Sequence, residues 1–204
     1  MIRPEAVVFD LGKVLLDFDY AIAAKNLASH SGSKAEVIHK FINQSPLLFR
    51  YETGLMTTDE FFEEFRAETK FSGTAERFAE LFGNIFTPME PMIALHARLK
   101  QSKIPTFIFS NTNELGIRHI RGAHPFFAGF DGYIFSYEHG AMKPHTKLYE
   151  VVERITNRHG SQIVYIDDRP ENIEAGAGRG WQVVLQESPE KTMAALSALG
   201  LPAN

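Results

Sequence analysis

The sequence predicts a three-layer α/β fold, in which a parallel sheet is covered by helices on both faces and carries a helical insertion after its first strand. Three observations support this prediction. Five short runs are almost entirely apolar, helical patterns follow most of them, and one long interval contains helical patterns alone. Continuous apolar runs are typical of strands buried on both faces, as in parallel sheets. Alternation of strands and helices places the helices on both faces of the sheet.

The five predicted strands are rich in Val, Ile and Phe. None of them alternates polar with apolar residues, as a strand with one solvated face would. They are Ala6–Asp10, Pro105–Ser110, Gly132–Ser136, Ile163–Asp168 and Gln182–Leu185. All five therefore suit one sheet that is buried on both faces.

Helical patterns follow the last four of these strands. The segments are Glu114–Ala123, Thr146–His159, Pro170–Gly178 and Pro189–Leu199. Proline suits the first turn of a helix and glycine suits its end, and the third segment has both. The chain therefore reads as repeated strand–helix units after its first strand.

The interval that breaks this alternation is residues 18–87, which contain no convincing strand. Thr57 and Glu60 have the spacing of a capping box, which opens a helix with a phenylalanine-rich apolar face. We expect most phenylalanines of the interval in its own core. The predicted division is a core formed by residues 1–17 and 88–204 and a helical insertion formed by residues 18–87.

Composition excludes several classes of function. The 204 residues suffice for one domain with a smaller insertion, and the 44% apolar share allows a sizeable core. Net charge is -4 with scattered Lys and Arg, which argues against a nucleic-acid surface. The chain has no cysteine, which excludes disulfides and thiolate catalysis and suits a reducing compartment. With no signal-peptide pattern or membrane-length apolar run, we expect a cytoplasmic monomer or homodimer without membrane partners.

Polar side chains collect where the predicted strands end. In open parallel sheets, ligands bind beyond the carboxyl ends of the strands, so these residues are expected to converge. The lysine belongs to the loop "GAMKP" after the third strand, and the others end or directly follow the first, second and fourth strands. The residues are Asp10, Ser110, Asn111, Lys143, Asp167 and Asp168.

This set of residues suits phosphoryl transfer, which needs a nucleophile, a divalent cation and positive charge around the phosphoryl oxygens. Asp10 can attack phosphorus and form an aspartyl-phosphate. Asp10 and Asp168 can hold Mg2+ through oxygen ligands. Ser110 and the amides of the next helix can bind phosphate oxygens, and Lys143 can neutralise the transferring group. Each residue alone also suits an ordinary turn, cap or solvated loop, so the combination carries the prediction.

Four segments resemble the motifs of the haloacid dehalogenase (HAD) superfamily over nearly the whole chain. They are "FDLGKVLLD", "IFSNTN", "MKPHTKLY" and "YIDDRPENIEAG". Their residues most resemble the motifs of a bacterial phosphatase subgroup that includes α-D-glucose-1-phosphate phosphatase. The resemblance implies a Rossmann-like core with a small helical cap inserted after the first strand. It also implies Mg2+-dependent hydrolysis of a small phosphate monoester, such as the sugar phosphate hexose-1-phosphate, through an aspartyl-phosphate.

The resemblance assigns roles residue by residue. Asp10 is the nucleophile, and Ser110, Asn111 and Lys143 bind the substrate, with Ser110 and Lys143 also taking part in catalysis. The metal ligands are Asp10, the backbone carbonyl of Gly12 and Asp168, with Asp167 beside it. The "YETG" turn of the insertion resembles the cap loop that approaches the active site. Tyr51 and Glu52 are therefore candidate substrate contacts, and a purely structural turn is an equal alternative.

The chain departs from the family pattern at two positions. Asn172 stands where many relatives have a second acid, and we expect it to support the metal site by hydrogen bonding. Gly12 replaces the aspartate that transfers protons, so only the backbone part of that role is kept. Three explanations for Gly12 are open. The first is that the leaving group needs little protonation, as in a sugar 1-phosphate, and the second is that another acid replaces the aspartate, with Asp17, Asp19 and Glu52 as candidates. The third explanation is that turnover is slow. The first is the preferred hypothesis.

Two other functions compete with a phosphatase. A metal-independent 2-haloacid dehalogenase needs no acid at Gly12, but Asp167 and Asp168 would repel its carboxylate substrate. A catalytically weak protein that binds a phosphorylated ligand would also tolerate Gly12. The joint presence of the nucleophile, phosphate-binding residues and acidic pair argues against that alternative.

Overall fold

The structure, a computed structural model, describes residues 3–203. Its strands are β1 (Ala6–Phe9), β2 (Leu16–Phe18), β3 (Phe86–Pro88), β4 (Thr106–Ser110), β5 (Gly132–Phe135), β6 (Ile163–Asp167) and β7 (Gln182–Leu185). Five of them form one parallel sheet in the order β5-β4-β1-β6-β7. These are the five strands predicted from the sequence, each with ends within one residue of the prediction.

The helices surround this sheet and form the insertion. They are α1 (Tyr20–Ala28), α2 (Ala35–Ile42), α3 (Pro46–Glu52), α4 (Thr58–Thr69), α5 (Ala75–Gly83), α6 (Glu90–Gln101), α7 (Glu114–Ala123), α8 (Ser136–His139), α9 (Thr146–Thr156), α10 (Pro170–Ala177) and α11 (Pro189–Ala198). Helix α6 and the single-turn helix α8 were not among the helices predicted from the sequence. Within residues 3–203, no helix combines the length and apolar composition that a bilayer-spanning segment requires.

The predicted three-layer α/β architecture is confirmed. Successive residues of β1 point to opposite faces of the sheet because side chains alternate along a strand. Val7 and Phe9 pack in one apolar core with residues of α6, α7 and α11, whereas Ala6 and Val8 pack in a second with residues of α9. All four are fully buried, which explains why the strand reads as a continuous apolar run.

A short antiparallel pair of strands joins the core to the insertion. β2 pairs with β3, with Leu16 opposite Pro88 and Phe18 opposite Phe86. Residues 18–87 were predicted to contain no strand, but both strands overlap the ends of that interval. Each strand has three residues, too few to show a period-2 pattern. They pair because the chain leaves and re-enters the core at the same place.

The insertion, called the cap below, consists of α1–α5 and has its own apolar core. Its centre is a group of stacked and tilted phenylalanine rings, with centroids 4.8 Å apart for Phe65 and Phe78 and 5.3 Å apart for Phe61 and Phe82. The predicted capping box is present: Thr57 and Glu60 exchange side chain to backbone hydrogen bonds at the start of α4. Phe49 differs from the expectation, since it is 55% exposed.

Candidate active site

A cleft of about 400 Å3 lies between the cap and the carboxyl ends of the core strands. Such a volume suits a small ligand. Of the nine residues that the sequence proposed for the site, all but Tyr51 and Asp167 line it. The core side includes Asp10, Gly12, Ser110, Asn111, Lys143 and Asp168. The cap side and its connecting strands include Phe18, Tyr20, Leu48, Phe49, Glu52 and Phe86.

Lys143 holds two carboxylates together at the bottom of the cleft. Its Nζ lies 3.0 Å from Asp10 Oδ1 and 2.6 Å from Asp167 Oδ2, and it donates to the Phe109 carbonyl oxygen at 3.0 Å. The lysine and both aspartates are buried. Burial alone would lower the pKa of Lys143, but the two carboxylates outweigh burial and raise it. Lys143 therefore stays charged beside the proposed nucleophile.

Asp10 follows β1 directly and continues its pairing, because its amide donates to the Ile166 carbonyl at 2.8 Å. Burial raises the pKa of the Asp10 carboxyl to about 7, Lys143 opposes this shift, and Asp167 adds to it. The amide of Leu11 donates to Asp10 Oδ1 at 2.6 Å. The sheet and these donors therefore aim one buried carboxylate into the cleft.

Asp167 is enclosed by donors instead of facing the cleft. Besides Lys143, it accepts hydrogen bonds from the Arg169 amide at 2.8 Å, from Asn172 Nδ2 at 3.0 and 3.2 Å, and from the Tyr165 hydroxyl. Burial opposes the ionisation of Asp167, and Lys143 and the other donors lower its pKa overall. This geometry makes Asp167 a positioning residue for Lys143. Asn172 donates two of the hydrogen bonds that hold Asp167, and its support of a metal site stays a prediction.

Three carboxylates meet beside Lys143. Oxygen atoms of Asp10, Asp167 and Asp168 lie within 4.8 Å of one another. Burial, followed by the charge of Asp167, raises the pKa of Asp168, and the charges of Lys143 and Arg169 offset only part of this shift. A hard divalent cation such as Mg2+ prefers oxygen ligands and would supply the missing charge, so the donor set suits it. Asp10, Gly12 and Asp168 line the cleft. The candidate ligands are the two carboxylates and the Gly12 carbonyl, with Asp167 adjoining them.

Ser110 and Asn111 end β4 next to this cluster. Ser110 is buried and borders the cleft, where its hydroxyl donates to the Asn111 carbonyl oxygen at 3.3 Å. Asn111 holds the loop of Lys143 by two hydrogen bonds, accepting from the Lys143 amide at 2.7 Å and donating to its carbonyl at 3.1 Å. Asn111 therefore positions the lysine from a place where it can also meet a ligand.

The two cap candidates have different surroundings. Glu52 borders the cleft, whereas Tyr51 stacks on Phe61 with ring centroids 4.3 Å apart. The Tyr51 hydroxyl shares a hydrogen bond with Thr58 and accepts one from the Leu115 amide of α7 at 3.2 Å. The structure thus places Tyr51 in the core of the cap and at its contact with α7. Tyr51 is not among the residues that line the cleft.

Several residues of the site were not identified from the sequence. Tyr165 could have been identified, because it lies two positions before Asp167 on β6 and therefore points to the same face of the sheet. Phe18 and Tyr20 carry no such signal, because the insertion and its connecting strand bring them to the cleft. Asn113 follows β4 in the core, so the same strand-end argument that found Ser110 could have found it.

Gly12 is packed against an aromatic ring. A Cβ atom at this position would lie 2.7 Å from Cε1 of Phe18. That ring is held by an edge contact with Tyr20, with centroids 5.8 Å apart, and lies 6.3 Å from the ring of Phe86. Phe18 therefore fills the space beside Gly12 that a larger side chain would need.

Replacing Gly12 by alanine is expected to destabilise the protein by about 1–3 kcal/mol, the usual cost of overpacking. Urea unfolding measures this free energy. Gly122→Ala is the matched control, because no atom lies within 4 Å of a Cβ placed there. Adding Phe18→Ala should relieve the Gly12→Ala clash, so the effects of the two substitutions should not add. Equal tolerance of alanine at both glycines would contradict this packing.

Comparison with known proteins places this geometry in a family context. The family model of haloacid dehalogenase-like hydrolases matches residues 4–180. The chain is 23% identical over 182 residues to the sesquiterpene phosphatase astK of Aspergillus oryzae, with 86% of each protein covered.

Two solved structures share the fold. One is a HAD family enzyme from Bacteroides thetaiotaomicron in complex with magnesium and inorganic phosphate, with a TM-score of 0.78, 20% identity, and 89% of this chain and 93% of that chain covered. The other is L-2-haloacid dehalogenase from Xanthobacter autotrophicus, with a TM-score of 0.65, 20% identity, and 95% of this chain and 81% of that chain covered. Both similarities show the fold alone, so the residues of the site must decide the reaction.

Proposed function

The chain belongs to the haloacid dehalogenase-like hydrolase family, and from this premise we propose that it is a Mg2+-dependent phosphatase acting on a small phosphate monoester. The observation that carries the proposal is the meeting of three carboxylates around one lysine at the bottom of the cleft. A phosphomonoester brings further negative charge, so such a site needs a cation to receive it. The similarity to a phosphatase supports the same conclusion.

Each residue has a role in the proposed reaction. An oxygen of the Asp10 carboxylate attacks phosphorus, an aspartyl-phosphate forms, and the bond from phosphorus to the leaving oxygen breaks. Water then attacks the phosphorus of that intermediate and releases inorganic phosphate and the carboxylate. Lys143 stabilises the charge on the phosphoryl oxygens, and Ser110 donates a hydrogen bond to one of them. Bound Mg2+ would supply further charge neutralisation through Asp10, Asp168 and the Gly12 carbonyl.

The cap side of the cleft supports a small organic group as the remainder of the substrate. Asn43, Gln44 and Ser45 offer hydrogen-bonding groups to hydroxyls, and Leu48 and Phe49 offer apolar surface. This mixture suits a sugar phosphate such as hexose-1-phosphate, which has hydroxyls and apolar ring faces.

A dehalogenase is the less favoured alternative. It would attack carbon with Asp10 and would have to admit a 2-haloacid, whose carboxylate would approach Asp168 at the cleft. Repulsion between these like charges disfavours binding. A non-catalytic phosphate-binding protein would not require a nucleophile held between a lysine and a cation site.

Phosphate release tests the proposal. We expect p-nitrophenyl phosphate and members of a sugar-phosphate panel to be hydrolysed with Mg2+, inhibited by EDTA and restored by excess Mg2+. The matched measurement is halide release from 2-haloacids with and without EDTA. Metal-independent halide release without hydrolysis of any phosphate ester would overturn the proposal in favour of a dehalogenase.

A further inference from the structure

A good leaving group, the explanation preferred from the sequence, would lessen the need for an acid at the leaving oxygen, but the attacking water still needs a base. Other esters need both the acid and the base, and Gly12 offers neither. Two carboxyls near it in the sequence are engaged elsewhere. Asp17 pairs with Lys13 and its side chain is 58% exposed, while Asp19 caps α1 by accepting from the Ala21 amide at 2.8 Å. Neither borders the cleft, so neither faces a bound phosphate ester.

The end of α3 is fixed to the core on both sides of Glu52. On one side, the Tyr51 hydroxyl accepts a hydrogen bond from the Leu115 amide. On the other, Gly54 has φ +73, and a Cβ there would lie 2.1 Å from the Tyr137 carbonyl oxygen of α8. Only glycine allows this approach, because any side chain would collide with backbone. These two contacts hold Glu52 at the cleft in the cap arrangement seen here.

The Glu52 carboxyl is enclosed by groups that do not neutralise it. The Tyr20 hydroxyl donates to its Oε1 at 3.3 Å, and the Asn113 side chain lies against both residues. Burial raises the pKa of Glu52 to about 7, with the hydrogen bonds from Tyr20 and Asn113 acting in the opposite direction. Glu52 is therefore able to exist in both protonation states near neutral pH.

The charged groups that share the cleft come from the core. They are Asp10, Lys13, Lys143, Asp168 and Arg169. No salt bridge to Glu52 is found among residues 3–203. Its carboxyl thus faces the site without a permanent cationic partner, as a group that exchanges protons should.

We propose that Glu52 of the cap performs the proton transfer that Gly12 cannot, an assignment that rests on the proposed phosphatase function. In the first step the Glu52 carboxyl gives its proton to the leaving oxygen as that oxygen separates from phosphorus. In the second step the Glu52 carboxylate takes a proton from the water that attacks the aspartyl-phosphate. The proton is returned and no net charge accumulates on the enzyme.

The test compares leaving groups in wild type and Glu52→Gln. Nitrophenolate leaves without protonation, whereas an alkoxide needs a proton. We expect Glu52→Gln to lower kcat/KM for alkyl phosphates by about 10²–10⁴-fold, the usual contribution of general acid catalysis. It should change kcat/KM for p-nitrophenyl phosphate by less than about 3-fold, far below that contribution. Activity of Glu52→Gln on p-nitrophenyl phosphate also reports correct folding. If wild type hydrolyses neither p-nitrophenyl phosphate nor any alkyl phosphate, the phosphatase function itself is refuted.

The pH profile supplies a readout that a structural role would not move. An acid acts while protonated, so wild-type kcat/KM for alkyl phosphates should fall as pH rises through about 7. This decline should be absent for p-nitrophenyl phosphate and absent in Glu52→Gln. Asp17→Asn, which removes the rival carboxyl, should keep the wild-type profile.

Two results would overturn the proposal. One is an equal loss of kcat/KM for alkyl phosphates and p-nitrophenyl phosphate in Glu52→Gln, which indicates disturbed binding or folding. The other is an unchanged kcat/KM for both classes of ester. If the variant does not fold, the wild-type profiles decide alone, and identical pH dependence for both classes of ester would refute a role for Glu52 as acid.

Discussion

Asp10→Asn is expected to abolish phosphate release, with kcat falling at least about 10⁴-fold, as removal of a covalent nucleophile does in other enzymes. Asparagine has nearly the same shape, but its amide is a poor nucleophile and carries no charge for a cation. The measurement is phosphate release from p-nitrophenyl phosphate in Mg2+. Mass spectrometry of the acid-quenched wild-type reaction should also show one phosphoryl group on the peptide that contains Asp10.

Asp59→Asn, on the exposed surface of α4, is the control for this substitution and should retain wild-type turnover. Thermal unfolding of both variants separates loss of chemistry from loss of structure. Substantial turnover by folded Asp10→Asn, or a phosphoryl group on another peptide, would show that Asp10 is not the nucleophile.

Lys143→Met is expected to have the largest combined effect on stability and activity. The substitution keeps the length of the side chain but leaves Asp10 and Asp167 buried without their cation. Removing one partner of a buried ion pair costs about 3–5 kcal/mol, because the remaining charge is uncompensated. Phosphate release should fall to background, since the phosphoryl oxygens lose their lysine. Urea unfolding in EDTA measures the stability, because metal binding would otherwise add to it.

The pH dependence of this deficit gives a second check. Lys143 lowers the pKa of Asp167 in the folded state. Their ion pair therefore stabilises the fold at pH values above 3.8, the ordinary aspartate pKa, and this stabilisation is lost as pH falls through the lowered pKa. Without it, the buried carboxylates are expected to hold protons more tightly in the folded state. The deficit relative to wild type should therefore be greatest at neutral pH and shrink as pH falls.

Lys147→Met is the matched control, because Lys147 is exposed four residues later in the chain. It should leave the free energy of unfolding and the activity nearly unchanged. A Lys143→Met variant as stable as Lys147→Met at neutral pH would show that the buried cluster is not held by this lysine.

Parts of the site could be predicted because the informative residues are close in sequence. Asp10 follows an apolar run, and Asp167 and Asp168 end another, so strand and site are read from one short segment. The different positions of the two adjacent aspartates, Asp167 beside Lys143 and Asp168 at the cleft, could not be predicted in this way. They depend on donors from Tyr165, Asn172 and Lys143 that only the folded sheet brings to Asp167.

The amino-acid sequence by itself determined the α/β class, the five core strands, the helical insertion and the residues that end the strands. These properties depend on apolar periodicity and local turn chemistry, which act between near neighbours in the chain. The sequence did not determine the strand order β5-β4-β1-β6-β7 or the pairing of β2 with β3. It also did not determine that Tyr51 packs on Phe61 in the cap core instead of lining the cleft.

Only the tertiary structure decided what Gly12 means. Phe18 fills the adjacent space, and the docking of the cap through Tyr51 and Gly54 brings Glu52 to the cleft, about forty positions away in the chain. Such contacts arise from packing between separate elements, and no local pattern encodes them. The physical reason is that a side chain's space and its ionisation depend on whatever the fold places beside it.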